Sequence, residues 1–251
     1  MRSNHCYLFL LGFVGMGATH AACARSGFGS WGETCGPAQG CGFGSWGVDN
    51  GTSNYPGATL GCPEAVVWSD DFEDGVLGAE WTSPDTSRHG AIEESGGNLV
   101  LTVSGGSGSA FLLSRHPQWL ADSSVQAEVT QIVPADAGIE SSFGVEYENL
   151  DKLELHQEGG ELRFERRREG NWASLASVPY DPQGQRFWRL RHGPGKVSFE
   201  TSPDGLRFTA HLETPWQQET GRIYVYTWNE GGQAQPSAFL LGDIETVLCA
   251  D

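Results

Sequence analysis

Between Val66 and Val247 the chain alternates short apolar runs with clusters of Gly, Pro, Asn and Asp. Runs such as Asn98-Leu-Val-Leu-Thr-Val103, Val125-Gln-Ala-Glu-Val-Thr-Gln-Ile132 and Lys196-Val-Ser-Phe-Glu200 have strand length, and most place apolar residues at every second position. That period of two predicts half-buried strands, because successive side chains leave a strand on opposite faces. Gly159-Gly160, Glu169-Gly-Asn171, Gly193-Pro-Gly195 and Ser202-Pro-Asp-Gly205 supply turn residues that tolerate positive φ or preset a proline φ. No stretch carries a helical period of useful length. The expected domain is therefore an all-β, antiparallel double-sheet jelly roll. Its first and last strands are marked by Trp68-Ser-Asp-Asp-Phe-Glu-Asp-Gly and Phe239-Leu-Leu-Gly-Asp-Ile-Glu-Thr-Val247.

The same alternation sorts candidate chemistry. In Arg222-Ile-Tyr-Val-Tyr-Thr-Trp-Asn229, Ile223, Val225 and Thr227 share the core face, leaving Tyr224, Tyr226 and Trp228 on the other, where flat rings suit a sugar. Neighbouring runs put Glu146 and Glu148, then Glu154 and His156, then Arg163 and Glu165, on their second faces. If these strands share one sheet, a groove of aromatics, carboxylates, His and Arg results, with Tyr224, Tyr226, Trp228, Glu154, His156 and Arg163 as candidate ligand-binding residues. The competing assignment is packing for the aromatics and a solvated face of cross-strand charge pairs for the rest.

Charge narrows the partners. Lys plus Arg number 15 against 32 Asp plus Glu, a formal net charge of -17. Such a surface repels phosphate backbones, so no nucleic acid is expected. Asp70, Asp71 and Glu73 near the first strand, with Asp243 and Glu245 on the last, meet if those strands pair. Asp70, Asp71 and Asp243 are thus candidate ligands of a structural Ca2+; otherwise they are edge-strand charge that deters aggregation. No other cofactor is expected.

The N-terminus, with one early Arg and an apolar stretch ending in small residues, reads as a signal peptide over residues 1–24, and no later run is apolar enough for a transmembrane segment. Ala22-Cys23-Ala24 offers a cleavage site, whereas Ala21-Ala22-Cys23 offers a poor lipobox with a lipid anchor at Cys23. Either route places the protein outside the cytoplasm, secreted or in the cell envelope. Cys35, Cys41, Cys62 and Cys249 then form an even set suited to two disulfides. Pairing of the first and last strands favours Cys62 with Cys249 and leaves Cys35 with Cys41; a zinc site is the weaker alternative at these spacings. Residues 25–65, which repeat Gly-Phe-Gly-Ser-Trp-Gly at 27–32 and 42–47, read as a Gly-rich, disulfide-containing linker before a β-sandwich over 66–251.

The Asp-Asp-Phe-Glu-Asp-Gly opener followed by Trp81, the Phe187-Trp-Arg-Leu-Arg191 strand, the Ser202-Pro-Asp-Gly205 hairpin and the Gly242-Asp-Ile-Glu245 closer resemble secreted bacterial laminin-G-like and glucanase-like jelly rolls. These belong to the concanavalin A-like lectin and glucanase superfamily. The resemblance spans about Val66 to Val247 and implies a sugar binder or a sugar-cleaving enzyme. Glucanases of that superfamily carry Glu-x-Asp-x-x-Glu on one strand; here Glu146-Tyr-Glu148-Asn-Leu-Asp151 keeps the spacing with the last two acids exchanged. Glu146 and Glu148 are accordingly the candidates if the protein is a glycoside hydrolase or lyase. The leading expectation is a non-catalytic protein that binds a glycan or cell-surface polymer. A structural or adhesive envelope protein is the third reading.

Overall fold

Backbone amides in a jelly roll find their partners across strands, so register decides which side chains meet. In the computed structural model the described residues are 58–59, 64–82, 85–87, 89–104, 106–132, 138–229 and 237–249, within a compact unit spanning Tyr55–Asp251. All of its sheet pairings are antiparallel, and no helix occurs among the described residues, so none is long and apolar enough to cross a membrane. In chain order the strands are β1 (Ala58–Thr59), β2 (Glu64–Asp70), β3 (Asp85–Thr86), β4 (Gly90–Glu94), β5 (Leu99–Val103), β6 (Gly108–Leu113), β7 (Gln118–Trp119), β8 (Ser123–Gln131) and β9 (Ile139–Tyr147). They continue with β10 (Lys152–Glu158), β11 (Glu161–Arg168), β12 (Asn171–Pro179), β13 (Phe187–Gly193), β14 (Lys196–Ser202), β15 (Phe208–Pro215), β16 (Thr220–Asn229) and β17 (Ser237–Cys249).

Two sheets result. One runs β1-β15-β14-β13-β8-β17-β5-β4, with β2 also on β17; the other runs β12-β11-β10-β9-β16-β6-β3, with β7 on β16. Alternate residues of both turn inward. Phe143, Val145, Leu153, Leu155, Leu162, Phe164, Ile223 and Val225 come from the second sheet and meet Val125, Trp188, Leu190, Val197, Phe199, Phe239 and Leu241 from the first. Phe164 and Phe199, on opposite sheets, approach to 5.6 Å between ring centroids. Each such side chain stabilises the fold by about 1.5–3 kcal/mol relative to exposure, which is what fixes the register of the strands that carry it.

The first and last long strands pair as the sequence implied: Asp70 lies opposite Ile244, and Glu64 opposite Cys249. The Cys62–Cys249 and Cys35–Cys41 disulfides, the signal peptide, Cys23 and the repeated hexapeptide lie outside the described residues. Ala58–Thr59, inside the stretch read as linker, pairs with β15. The acidic opener has a structural task. Asp70 Oδ2 accepts a 2.7 Å bond from the indole N–H of buried Trp81, and Asp70 Oδ1 accepts from the amide of Phe72, which sits at φ 50°. The Trp68 and Trp81 rings stack edge to face at 5.6 Å, so the motif closes one end of the core.

Candidate functional site

The outer face of the second sheet is built from the residues that alternate with the core set. Cross-strand register aligns Phe111 (β6), Tyr226 (β16), Ser142 (β9), His156 (β10) and Arg163 (β11) in one row. The adjacent row holds Tyr224, Gly144, Glu154 and Glu165. These rows, with Glu140 of β9, Lys152 and Glu158 of β10, Trp172 of β12 and Trp228 of β16, line a groove of about 430 Å³. Tyr224, Tyr226, Trp228, Glu154, His156 and Arg163 therefore all lie on one groove. Glu140, Ser142, Lys152, Glu158, Glu165, Phe111 and Trp172 join them there.

Gly144 makes the second row possible. A Cβ at this position would lie 2.3 Å from the Leu153 carbonyl oxygen and 2.9 Å from the Glu154 Cβ. With no side chain between them, the Tyr224 hydroxyl reaches across β9 and donates to Glu154 Oε2. Tyr224 is consequently almost wholly buried, whereas Tyr226 and Trp228 are half-buried with ring surface open to the groove. Lys152 Nζ sits 4.4 Å above the Tyr224 ring centroid and 2.9 Å from Glu146 Oε2, which fixes the ammonium over the ring. Phe111 packs edge-on to Tyr226 at 6.2 Å. Tyr224 is the floor of the groove; Tyr226, Trp228 and the half-exposed Trp172 are its accessible aromatic walls.

His156 is the centre of the polar part. Its Nδ1 is 2.9 Å from Ser142 Oγ and 3.4 Å from Glu154 Oε1; its Nε2 is 4.0 Å from Glu140 Oε2 and 4.0 Å from Glu158 Oε2. Burial works to lower its pKa, but the hydrogen bond to Glu154 and the charges of Glu165 and Glu140 outweigh burial and raise it. Glu165 is raised as well, by burial first and then by Glu154 against the opposing pull of His156. Burial, with Glu140 and Glu154 nearby, pushes Tyr226 up to about 12, so its hydroxyl remains a donor at neutral pH. Arg163 donates to Glu158 and, at 3.4 Å, to Glu161, closing the end of the groove. The result is a wall of acceptors and donors beside flat apolar rings. That combination is chemically suited to a ligand with hydroxyls on its edge and C–H groups on its face.

The Glu146/Glu148 pair does not take the arrangement its spacing suggested. β9 ends at Tyr147, and Leu150 at φ 66° turns the chain back. Glu148 is exposed in that turn, and Asp151 is buried at the sandwich end, where it accepts from the Glu169 amide at 2.9 Å. Glu146 is bound between Lys152 and Arg222 at 2.9 and 3.0 Å. None of this trio is among the residues that line the groove.

The first-and-last-strand carboxylates have partners of their own. Asp70 is engaged by Trp81 and Phe72, and Asp71 Oδ1 accepts from the Glu73 amide. Asp243 projects outward because an extra residue between Leu241 and Ile244 keeps the two apolar side chains facing the core. Burial, Glu245 and Glu128, with smaller contributions from Asp71 and Glu73, raise its pKa. Among the described residues, the triads of ligand-type atoms that lie within 4.8 Å of one another are both in the groove: Glu140–His156–Glu158 and Glu154–His156–Glu165.

No protein-family model and no curated protein sequence matches the chain. Solved structures do match in fold. A β-1,3-1,4-glucanase (lichenase) derived from a mouse hindgut metagenome superposes with a TM-score of 0.54 at 11% identity, covering 73% of this chain and 99% of its own. An immunostimulatory antigen and pseudo-β-1,3-glucanase of Mycobacterium tuberculosis gives 0.54 at 12%, covering 74% and 99%. A structure from work on endo-acting O-glycanases of the human gut microbiota that initiate mucin breakdown gives 0.58 at 9%, covering 74% and 100%. The architecture is thus the antiparallel double-sheet jelly roll that these structures share. Identities this low establish that fold, on which both glucanases and a pseudo-glucanase are built.

Proposed function

We propose that this is an exported carbohydrate-binding protein that takes a glycan or cell-surface polymer into the groove of the second sheet. The observation that carries the reading is the groove itself. Tyr226, Trp228 and Trp172 offer ring faces beside Glu140, Glu154, His156, Glu158 and Arg163, so sugar C–H faces and hydroxyls are served together. The sign of the chain agrees with a neutral polymer better than an anionic one, since the net charge is -17. A glycan array probed with the full chain, followed by calorimetry on the best neutral β-glucan, tests it. Trp228→Ala and Tyr226→Ala should each weaken binding by about tenfold or more, the equivalent of about 1.4 kcal/mol, with the unfolding midpoint unchanged. A correctly folded chain retained by no glycan removes the proposal.

A second reading is favoured by one specific feature. Glu154 and Glu158 alternate with His156 on β10, so two carboxylates share one strand face in the groove, the residue types from which glycoside hydrolysis draws its acid and its nucleophile or base. Reducing-sugar release from β-glucans that disappears in both Glu154→Gln and Glu158→Gln establishes hydrolysis. Glu148→Gln serves as a control that leaves the rate unchanged.

A further inference from the structure

Around His156 the distances are of two kinds, and the difference points to a function separate from stacking a sugar. On the Nδ1 side, Ser142 Oγ at 2.9 Å and Glu154 Oε1 at 3.4 Å are at hydrogen-bonding range. On the Nε2 side, Glu140 Oε2 and Glu158 Oε2 both stand at 4.0 Å, beyond a hydrogen bond, and the three ligand atoms lie within 4.8 Å of one another. The imidazole is 7% exposed, so Nε2 is aimed from a buried ring into the space between two carboxylates.

Two ligands of a zinc-like ion, each about 2.1 Å from it, are about 3.4 Å apart at the tetrahedral angle. The two Nε2-to-carboxylate separations of 4.0 Å exceed that spacing by a margin that small side-chain rotations of the partly exposed Glu140 and Glu158 close as an ion enters. We infer that Glu140, His156 Nε2 and Glu158 form a binding site for a divalent transition-metal ion, zinc being the best fit, with one coordination position open to the groove.

Three further features support this assignment. Metal-bearing histidines characteristically donate their other ring N–H to a neighbouring acceptor, which sets the tautomer, and Ser142 with Glu154 behind it stands at that position. Glu154 is itself held by the Tyr224 hydroxyl across Gly144, so the orienting group is anchored. Arg163 donates to Glu158 Oε2; a carboxylate has about four lone-pair sites, which lets one group hold both a guanidinium and a metal. The alternative triad, Glu154–His156–Glu165, uses the ring nitrogen already bonded to Ser142, which makes it the poorer binder. Two carboxylates and a neutral imidazole balance a 2+ charge, and the nitrogen donor selects a transition ion over Ca2+ or Mg2+. The fourth position, facing Tyr226 and Trp228, takes water or a ligand oxygen. The site stands whether or not the groove holds a glycan.

The test is Co2+ titration of the full chain, followed by Zn2+ displacement. One equivalent should bind with a d–d spectrum typical of nitrogen and oxygen ligands and no thiolate charge-transfer band, which excludes the cysteines. Glu154→Gln should weaken binding 10–100-fold, the range for an orienting partner. His156→Gln and Glu140→Gln should weaken it further, Glu140→Gln covering the case in which the histidine variant fails to fold. Absence of stoichiometric uptake, a thiolate-type spectrum, or affinity unchanged in both His156→Gln and Glu140→Gln overturns the site. Glycan retention measured with and without chelator separates this result from the carbohydrate proposal. Retention that survives metal removal leaves that proposal standing, and metal uptake without any retention leaves this one.

Discussion

His156 and His192 are both more than nine-tenths buried in the same sandwich, yet their surroundings drive them in opposite directions. His156 lies in the groove among Glu140, Glu154, Glu158 and Glu165, and its pKa is raised. His192, on β13, sits at the end of the core with Nε2 2.7 Å from the Tyr147 hydroxyl and the Tyr147 ring packed on Trp216 at 4.9 Å. Burial lowers its pKa to about 3, so it is a neutral, hydrogen-bonded packing residue. The depth of the two side chains is alike; the charges facing them differ. A histidine packed under aromatics adds to the core, whereas one held among carboxylates maintains a concentration of charge that packing alone does not need.

The largest effect that separates the two regions is their titration. Below pH 6.5 the unfolded chain protonates His192 and the folded chain does not. The stability it contributes is therefore present above pH 6.5 and is lost as pH falls toward about 3, a loss on the order of a few kcal/mol. His156 has the reverse sign: its contribution is present below 6.5 and is lost as pH rises through its raised folded value. Ring-proton NMR between pH 4 and 8 should show His156 titrating above 6.5 and His192 not moving. A His192 that titrates in that interval erases the contrast.

The groove and the core end were not equally readable in the sequence. Period-two alternation assigned the faces of Arg222–Asn229, because Ile223 and Val225 are committed to the core and a one-residue slip would invert every neighbour. It also set Glu154 with His156 and Arg163 with Glu165 on common faces. What it did not provide was register between strands. Glu140 meets His156 only because β9 begins at Ile139, well ahead of Glu146, and Glu158 arrives because β10 continues to the Gly159-Gly160 turn. Glu148 was misplaced for the complementary reason: the strand ends at Tyr147, and nothing local distinguishes its last residue from the turn. Gly144 carried the one available signal, an isolated glycine inside a strand, which often marks a close approach. Tyr147 and His192 belong to strands from different sheets, and no local pattern joins them.

A middle-sized effect tests the core end alone. Tyr147→Phe keeps the ring and its contact with Trp216 but leaves His192 Nε2 without its partner, inside the protein, where an unpaired polar atom costs about 1–3 kcal/mol. Ser142→Ala removes the corresponding hydroxyl from His156, which retains Glu154 within 3.4 Å, and should cost less than about 1 kcal/mol. Urea unfolding of both variants at pH 7 measures the pair. Equal losses would mean that the groove histidine is as structural as the core one.

The smallest effect is the sharpest for the groove, because its sign is unusual for removing a charge from a partly buried side chain. Glu165 is half-buried, with its pKa raised by burial and by Glu154, so in the folded protein its ionised form is disfavoured. A raised carboxyl contributes stability that is present below its unfolded value and lost as pH rises through the folded one; at pH 7 the native state carries that strain. Glu165→Gln keeps the shape and removes the charge. It should raise stability at pH 7 by roughly 0.5 kcal/mol and flatten the decline that sets in as pH rises past the ordinary carboxylate range, as read from urea midpoints at acidic and neutral pH. The His156 pKa should fall in the same variant, since Glu165 is one of the charges holding it up. A variant less stable than the parent at pH 7, with the His156 titration unmoved, would mean that the carboxylates of this groove are satisfied in the fold, and that the difference between the two histidines comes from something other than unrelieved charge.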